Sequence, residues 1–193
     1  SKKPLNFKPK ISTFLFLCLG LTFFGLGEGL LLVSSTGASP WSVLAQGISL
    51  NVNYSTGVIT FFISLFVIFL WIFLNEKPGI GTILNAIIIA IMIDISLALI
   101  ETPENYFYQM LMAVLAVLLV GLGSGFYLIA NLGPGPRDGL MTGLNKQTNQ
   151  SLALIRTFLE LSAVGIGFYL GGIVGIGTIL YAVGIGFSVS AGL

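Results

Sequence analysis

Histidine is absent from this chain of 193 residues, and cysteine occurs once. Without histidine the commonest metal ligand and the commonest general base are gone, and with them most metalloenzyme and hydrolase constellations. The lone Cys18 can close no internal disulfide and belongs to no metal-binding cluster. The chain has no phosphate loop of the G-x-x-x-x-G-K type and no nucleophile elbow. Charge is scarce as well. Acidic and basic residues together make up 8% of the chain, against about 25% in a soluble domain. The net charge is +1, and lysines concentrated in one tail suit anionic lipid headgroups rather than nucleic acid. No enzymatic activity, cofactor or metal is expected from these residues; a lipid-modifying membrane enzyme would lack its chemistry.

What the chain has in abundance is apolar length. Hydrophobic residues make up 55% of it, and the mean hydropathy is +1.01. Six runs, at about 11–34, 56–74, 80–100, 108–130, 152–170 and 173–191, approach the roughly 20 residues that span a bilayer as a helix. They are continuously apolar rather than alternating, which predicts helices and not a β-barrel. Two stretches between spans, 37–55 and 133–151, are too long for a tight turn and too short to cross. Each carries a proline ahead of a mixed apolar and polar run, at Pro40 and Pro136. Proline suits a helix's first turn, so each predicts a short interfacial or re-entrant helix.

Residues 25–97 recur as 121–193 without a gap, an offset of 96 residues from Gly25 to Gly121. About a third of the aligned positions are identical and most others exchange apolar for apolar. Gly25-Leu-Gly-Glu-Gly29 returns as Gly121-Leu-Gly-Ser-Gly125, and Gly37-Ala-Ser-Pro40 as Gly133-Pro-Gly-Pro136. Four lysines in the first ten residues place the N-terminus inside; Lys77, Arg137 and Lys146 then fall inside and the acidic loop 101–108 outside. The first run is too long, and lacks the small-residue site, for a cleaved signal peptide. Each copy holds three spans, an odd number, so the second copy enters from the opposite face. The expected fold is an all-α polytopic membrane protein of six transmembrane helices, arranged as two inverted three-helix repeats that each carry a short helix. It divides into a basic cytoplasmic tail (1–10), a first repeat (11–97), a connecting loop with the start of the fourth span (98–120) and a second repeat (121–193). Both termini are expected in the cytoplasm.

The glycines allow two readings. Gly25, Gly27, Gly29, Gly121, Gly123 and Gly125 either let helix backbones approach closely or loosen a helix beside a cavity. Four ionisable residues fall inside predicted spans: Glu28, Asp94, Arg156 and Glu160. Each is costly in hydrocarbon unless paired or hydrated. Arg156 and Glu160, four apart, share a helix face; they form a structural ion pair or take part in substrate binding. Glu28 and Asp94 lack partners on their own helices, and their repeat mates are Ser124 and Ser190. Asp94 lies nearest mid-span and is the leading candidate for a proton-titrating or cation-binding carboxylate. Glu28 lies in the outer half, where a vestibule would hydrate it. Arg137 and Asp138 stand in the first turn of the second short helix, whose free N–H groups attract anions; the alternative is a cytoplasmic turn carrying a positive-inside arginine.

The stretch Gly133-Pro-Gly-Pro-Arg-Asp-Gly-Leu-Met141, with Pro134 and Pro136 in it, followed by a short polar segment and another span, resembles the YczE/YyaS/YitT-type small bacterial membrane proteins. Gly37-Ala-Ser-Pro-Trp-Ser-Val-Leu44 is similar to the equivalent motif of their first half. The resemblance implies a multi-pass protein of the bacterial inner membrane, in a family tied to the production or regulation of secreted metabolites, and it supplies neither a substrate nor catalytic residues. A small transporter or channel-like permease for an unidentified solute, ion-coupled in one form, is the expected function. The alternative is a non-transporting regulator or accessory subunit of a larger complex. Membrane lipids are the expected surroundings, and a homodimer or a larger membrane complex could add a further wall to the pathway.

Overall fold

Apolar runs of this length can satisfy their backbone in lipid only as helices, and helices are what the computed structural model of the protein contains. It describes residues 5–192, with side chains described as far as Gly186; Lys2 and Lys3 of the basic tail and the side chain of Ser190 lie outside the described residues. The described residues form eight helices and no strand: α1 (Ile11–Val33), α2 (Pro40–Ser49), α3 (Thr56–Leu74), α4 (Ile80–Leu99), α5 (Tyr106–Ala130), α6 (Pro136–Thr148), α7 (Leu152–Tyr169) and α8 (Ile176–Gly192). Five of them, α1, α3, α4, α5 and α7, are long and apolar enough to cross a membrane, and α8 is a shorter apolar helix over Ile176–Gly186. Exposed Ile83, Ile87, Ile91 and Ile95 run down one face of α4, and Phe62, Phe66, Phe69 and Phe73 down α3. Such stripes are tolerated facing lipid and not facing water. The chain is an α-helical polytopic membrane protein.

Local chemistry sets the helix ends. Ser55 and Ser151 accept from the N–H groups of Val58 and Leu154, both at 3.2 Å, capping α3 and α7. Pro40 and Pro136 sit in the first turns of α2 and α6. Asn75, Asn131 and Asn149 end α3, α5 and α6 in the left-handed region, where asparagine is among the few side chains tolerated.

The 96-residue offset runs through the packing. α1 crosses α5; α4 packs on α1 as α8 packs on α5; α2 packs on α7 as α6 packs on α3. The N–H of Gly81 donates to the Leu132 carbonyl at 2.8 Å, and its mate Gly177 donates to Thr36, the mate of Leu132, at 2.9 Å. Gly37 and Gly133 share a positive φ, as do Ser35 and Asn131, and Asn75 and Gly171. At the α1–α5 crossing, a Cβ on Gly27 would meet the Ala116 carbonyl at 2.7 Å, and one on Gly123 would meet that of Gly20 at 2.5 Å. Gly25 and Gly29 face Ile89 and Ser96 of α4 just as closely. Both glycine motifs lie inside unbroken helices, and Gly25, Gly27, Gly29 and Gly123 serve close packing there.

The loops collect at two ends. At one end the Thr102 hydroxyl donates to the Val33 carbonyl (2.8 Å), Asn51 to that of Leu170 (2.8 Å), and the Ile173 N–H to the Gln46 side chain (2.8 Å). At the other, Lys146 pairs with Glu76 (2.6 Å), Gln147 donates to the Phe73 carbonyl (2.7 Å) and Thr82 to that of Pro134 (2.7 Å). The residues flanking α2 belong to the first end and those flanking α6 to the second.

Candidate functional site

The starts of both short helices open onto one cavity of about 320 Å³. Its wall consists largely of repeat mates: Ser39 with Gly135, Pro40 with Pro136, Trp41 with Arg137, Asn85 with Tyr181, and Ile89 with Ile185. Each pair is separated by the 96-residue offset, so the cavity lies where the two copies meet. Trp41 and Arg137, the second residues of α2 and α6, touch each other there, with the guanidinium carbon 5.3 Å from the indole centroid. That distance permits a cation–π contact.

Carboxylates stand beside both helix starts, from different positions in the two copies. At α2 the carboxylate comes from α1: Glu28 Oε2 accepts from the hydroxyls of Ser39 (2.5 Å) and Ser42 (2.6 Å). Ser42 is the mate of Asp138, which supplies the carboxylate at α6 and accepts from the Tyr127 hydroxyl. A carboxylate at a helix N-terminus offsets the dipole there. Glu28 is 0% exposed and its Oε1 has no hydrogen-bond partner. Glu28 is thus enclosed beneath the start of α2, whose serines donate to it, rather than open to an outer vestibule. On the far wall, Arg156 Nε donates to Glu160 Oε1 at 2.8 Å, the i, i+4 pair expected from their spacing, and both residues line the cavity.

Of the six charged candidates, Arg137, Asp138, Arg156 and Glu160 line the cavity, and Glu28 is tied to it through Ser39. Asp94 does not belong with them. It lies five residues from the end of α4, not at mid-span, and its oxygens accept from the Ser55 hydroxyl (2.5 Å) and the Gly57 N–H (2.7 Å) at the start of α3. A carboxylate at that place fastens one helix to the first turn of another. These contacts hold Asp94 away from the cavity that the other candidates line.

Sequence reasoning passed over Trp41, Asn85, Tyr127 and Tyr181. Applying the 96-residue offset to Arg137 would have found Trp41. Nothing in the local sequence marks Tyr127, whose partner is 11 residues away across a turn. Among the described residues no three His, Cys, Asp or Glu side chains gather as metal ligands would.

The profile of a family described as "Family of unknown function (DUF6198)" matches residues 11–192. An "Uncharacterized protein" of Haemophilus influenzae (strain Rd) is 40% identical over 174 residues, which cover 90% of this chain and 80% of that protein. The "Uncharacterized membrane protein YczE" of Bacillus subtilis is 31% identical over 175 residues, 89% of this chain and 80% of that one. "Uncharacterized protein YyaS" of the same organism is 23% identical over 171 residues, 86% and 85%. The resemblance carried by Gly133–Met141 to YczE- and YyaS-type proteins holds. No solved structure matches the chain.

Proposed function

The chain belongs to the DUF6198 family, and we propose that it is a small-solute permease of the bacterial inner membrane, built from two inverted three-span halves that share one site. In this reading α8 completes the sixth span, both termini are cytoplasmic, α2 enters from outside and α6 from inside. The observation that carries it is the placement of the cavity between repeat mates, with the start of one short helix reaching it from each end of the bundle. Inverted repeats around a midplane site are the architecture of transporters that open alternately to two faces. The depth also fits. Glu28 holds the start of α2 five residues before the end of α1, or about 7.5 Å along the axis at 1.5 Å per residue, a depth that supports a re-entrant α2. The cavity carries both charge signs and an aromatic wall, which suits binding and release of a solute rather than a purely structural core.

An osmotic swelling assay tests this. Liposomes holding the purified protein are mixed with a panel of small neutral, anionic, cationic and zwitterionic solutes, and light scattering follows entry. At least one solute should enter faster than into protein-free liposomes, and Arg137→Gln should slow it. A panel in which nothing enters faster would end the permease reading and leave that of a membrane regulator or accessory subunit.

A further inference from the structure

We infer that the solute taken by this cavity is a small organic oxyanion with an apolar body, held by Arg137 and Trp41; the inference rests on the permease reading for its biological use but not for its chemistry. It follows from which polar groups on the wall are engaged and which are not. On the acceptor side one oxygen of Asp138 takes the Tyr127 hydroxyl, and one oxygen of Glu160 takes the Arg156 Nε–H. The Ser39 hydroxyl donates to Glu28 and that of Ser124 to the Val120 carbonyl. Among the donors left over are the Arg156 Nη groups, the Asn85 amide, the Tyr181 hydroxyl and the two that follow. Among the described residues the Arg137 guanidinium makes no hydrogen bond and has no carboxylate within 4.0 Å; its contact is the face of Trp41. The Trp41 indole N–H is buried and has no acceptor.

A guanidinium presents up to five N–H groups in a planar fork that matches carboxylate or phosphate oxygens. An unpaired cation in a membrane protein is costly unless something neutralises it, and an unmet buried N–H adds to that cost. An oxyanion on the Arg137 fork meets the first need, and the second as well where the Trp41 ring turns its enclosed N–H toward it. A cationic or neutral ligand would leave the guanidinium unpaired. The rest of the wall sets the body of the ligand, since Phe24, Ile89, Leu128, Met141, Tyr181 and Ile185 offer mainly carbon. At about 320 Å³ the cavity is at the lower end of ligand sites, which favours a short-chain or single-ring solute over a membrane lipid.

The test is equilibrium binding to the purified, detergent-solubilised full chain, using radiolabelled benzoate as the probe and unlabelled competitors. Benzamide matches its shape without the charge, acetate and inorganic phosphate are anions without a comparable apolar body, phenyl phosphate carries the other oxyanion, and dodecanoate stands for a lipid. Benzoate should bind saturably in the millimolar range or below. Benzamide, acetate and phosphate should each compete at least ten-fold less well, and phenyl phosphate should compete within ten-fold of benzoate or better. Arg137→Gln should weaken benzoate at least ten-fold, and Arg137→Lys, which keeps the charge but not the fork, should fall between. Circular dichroism and gel filtration establish that the variants are folded, and Trp41→Phe, which removes only the indole N–H among the two donors, gives a second variant expected to weaken benzoate several-fold. Equal competition by benzamide, equal competition by acetate or phosphate, stronger competition by dodecanoate, unchanged binding to folded Arg137→Gln, or no binding by any of these anions would overturn the inference. Benzoate binding in detergent without entry into liposomes would instead overturn the permease reading and leave the ligand chemistry standing.

Discussion

Replacing Gly27 or Gly123 with alanine puts one methyl group into the α1–α5 crossing. An alanine Cβ at 27 would lie 2.7 Å from the Ala116 carbonyl oxygen and 2.8 Å from the Val120 backbone nitrogen; at 123 it would lie 2.5 Å from the Gly20 carbonyl oxygen. These neighbours include fixed backbone, so no rotamer change removes the clash and the two helices must separate. Overpacking of this kind costs about 1–3 kcal/mol. Alanine returns about 1 kcal/mol through its better helix propensity. Each substitution should therefore cost about 1–2 kcal/mol net. The pair together should cost less than the sum, because the first methyl already parts the helices at the shared crossing. Gly165 is the control: a Cβ there meets nothing within 4 Å, so alanine should gain up to about 1 kcal/mol. Unfolding in mixed micelles with rising SDS fraction, followed by circular dichroism, measures all four proteins. Gly27→Ala and Gly123→Ala as stable as Gly165→Ala would refute close packing as the reason for these glycines.

Four further substitutions separate structural from functional polar groups. Asp94→Asn should lower stability by about 1–2 kcal/mol, by weakening the charge-assisted bonds from Ser55 and Gly57, while leaving flux per folded molecule unchanged; lost flux at full stability would return Asp94 to the pathway. Ser39→Ala and Ser42→Ala should each cost about 1 kcal/mol, and the double variant more than their sum, since Glu28 then loses both donors; strict additivity in the SDS titration would mean that the two hydroxyls do not share this carboxylate. Arg137→Lys should fold normally and transport poorly, because lysine cannot reproduce the planar fork over Trp41; full activity in the swelling assay would reduce Arg137 to a topogenic charge.

The architecture was legible because the bilayer leaves few choices. Continuous apolar runs became helices within a few residues of their expected limits, and Pro40 and Pro136 marked the starts of α2 and α6. The Arg156–Glu160 pair followed from helical spacing alone. The rest depended on partners supplied by other segments. Glu28 seemed to need water because its donors, Ser39 and Ser42, come from a segment that folds back beside α1. Asp94 seemed isolated because its donors are 39 and 37 residues away in sequence. The glycine motifs could not declare their role until α1 and α5 were seen to cross at them. The cavity itself was encoded in the repeat: several residues and their 96-residue mates line it, but only the three-dimensional arrangement showed which mates face each other.

A shared two-sided site requires the two short helices to approach the cavity from opposite faces of the membrane. Single cysteines at Asn105 and Gln150, in a Cys18→Ser background, report this directly. Both positions are exposed; Asn105 belongs to the end from which α2 enters and Gln150 to that from which α6 enters. In intact cells an impermeant maleimide should label Asn105→Cys and leave Gln150→Cys unlabelled until the membrane is permeabilised. Labelling of both from outside, or of neither, would place the two ends on one face and contradict the shared two-sided site.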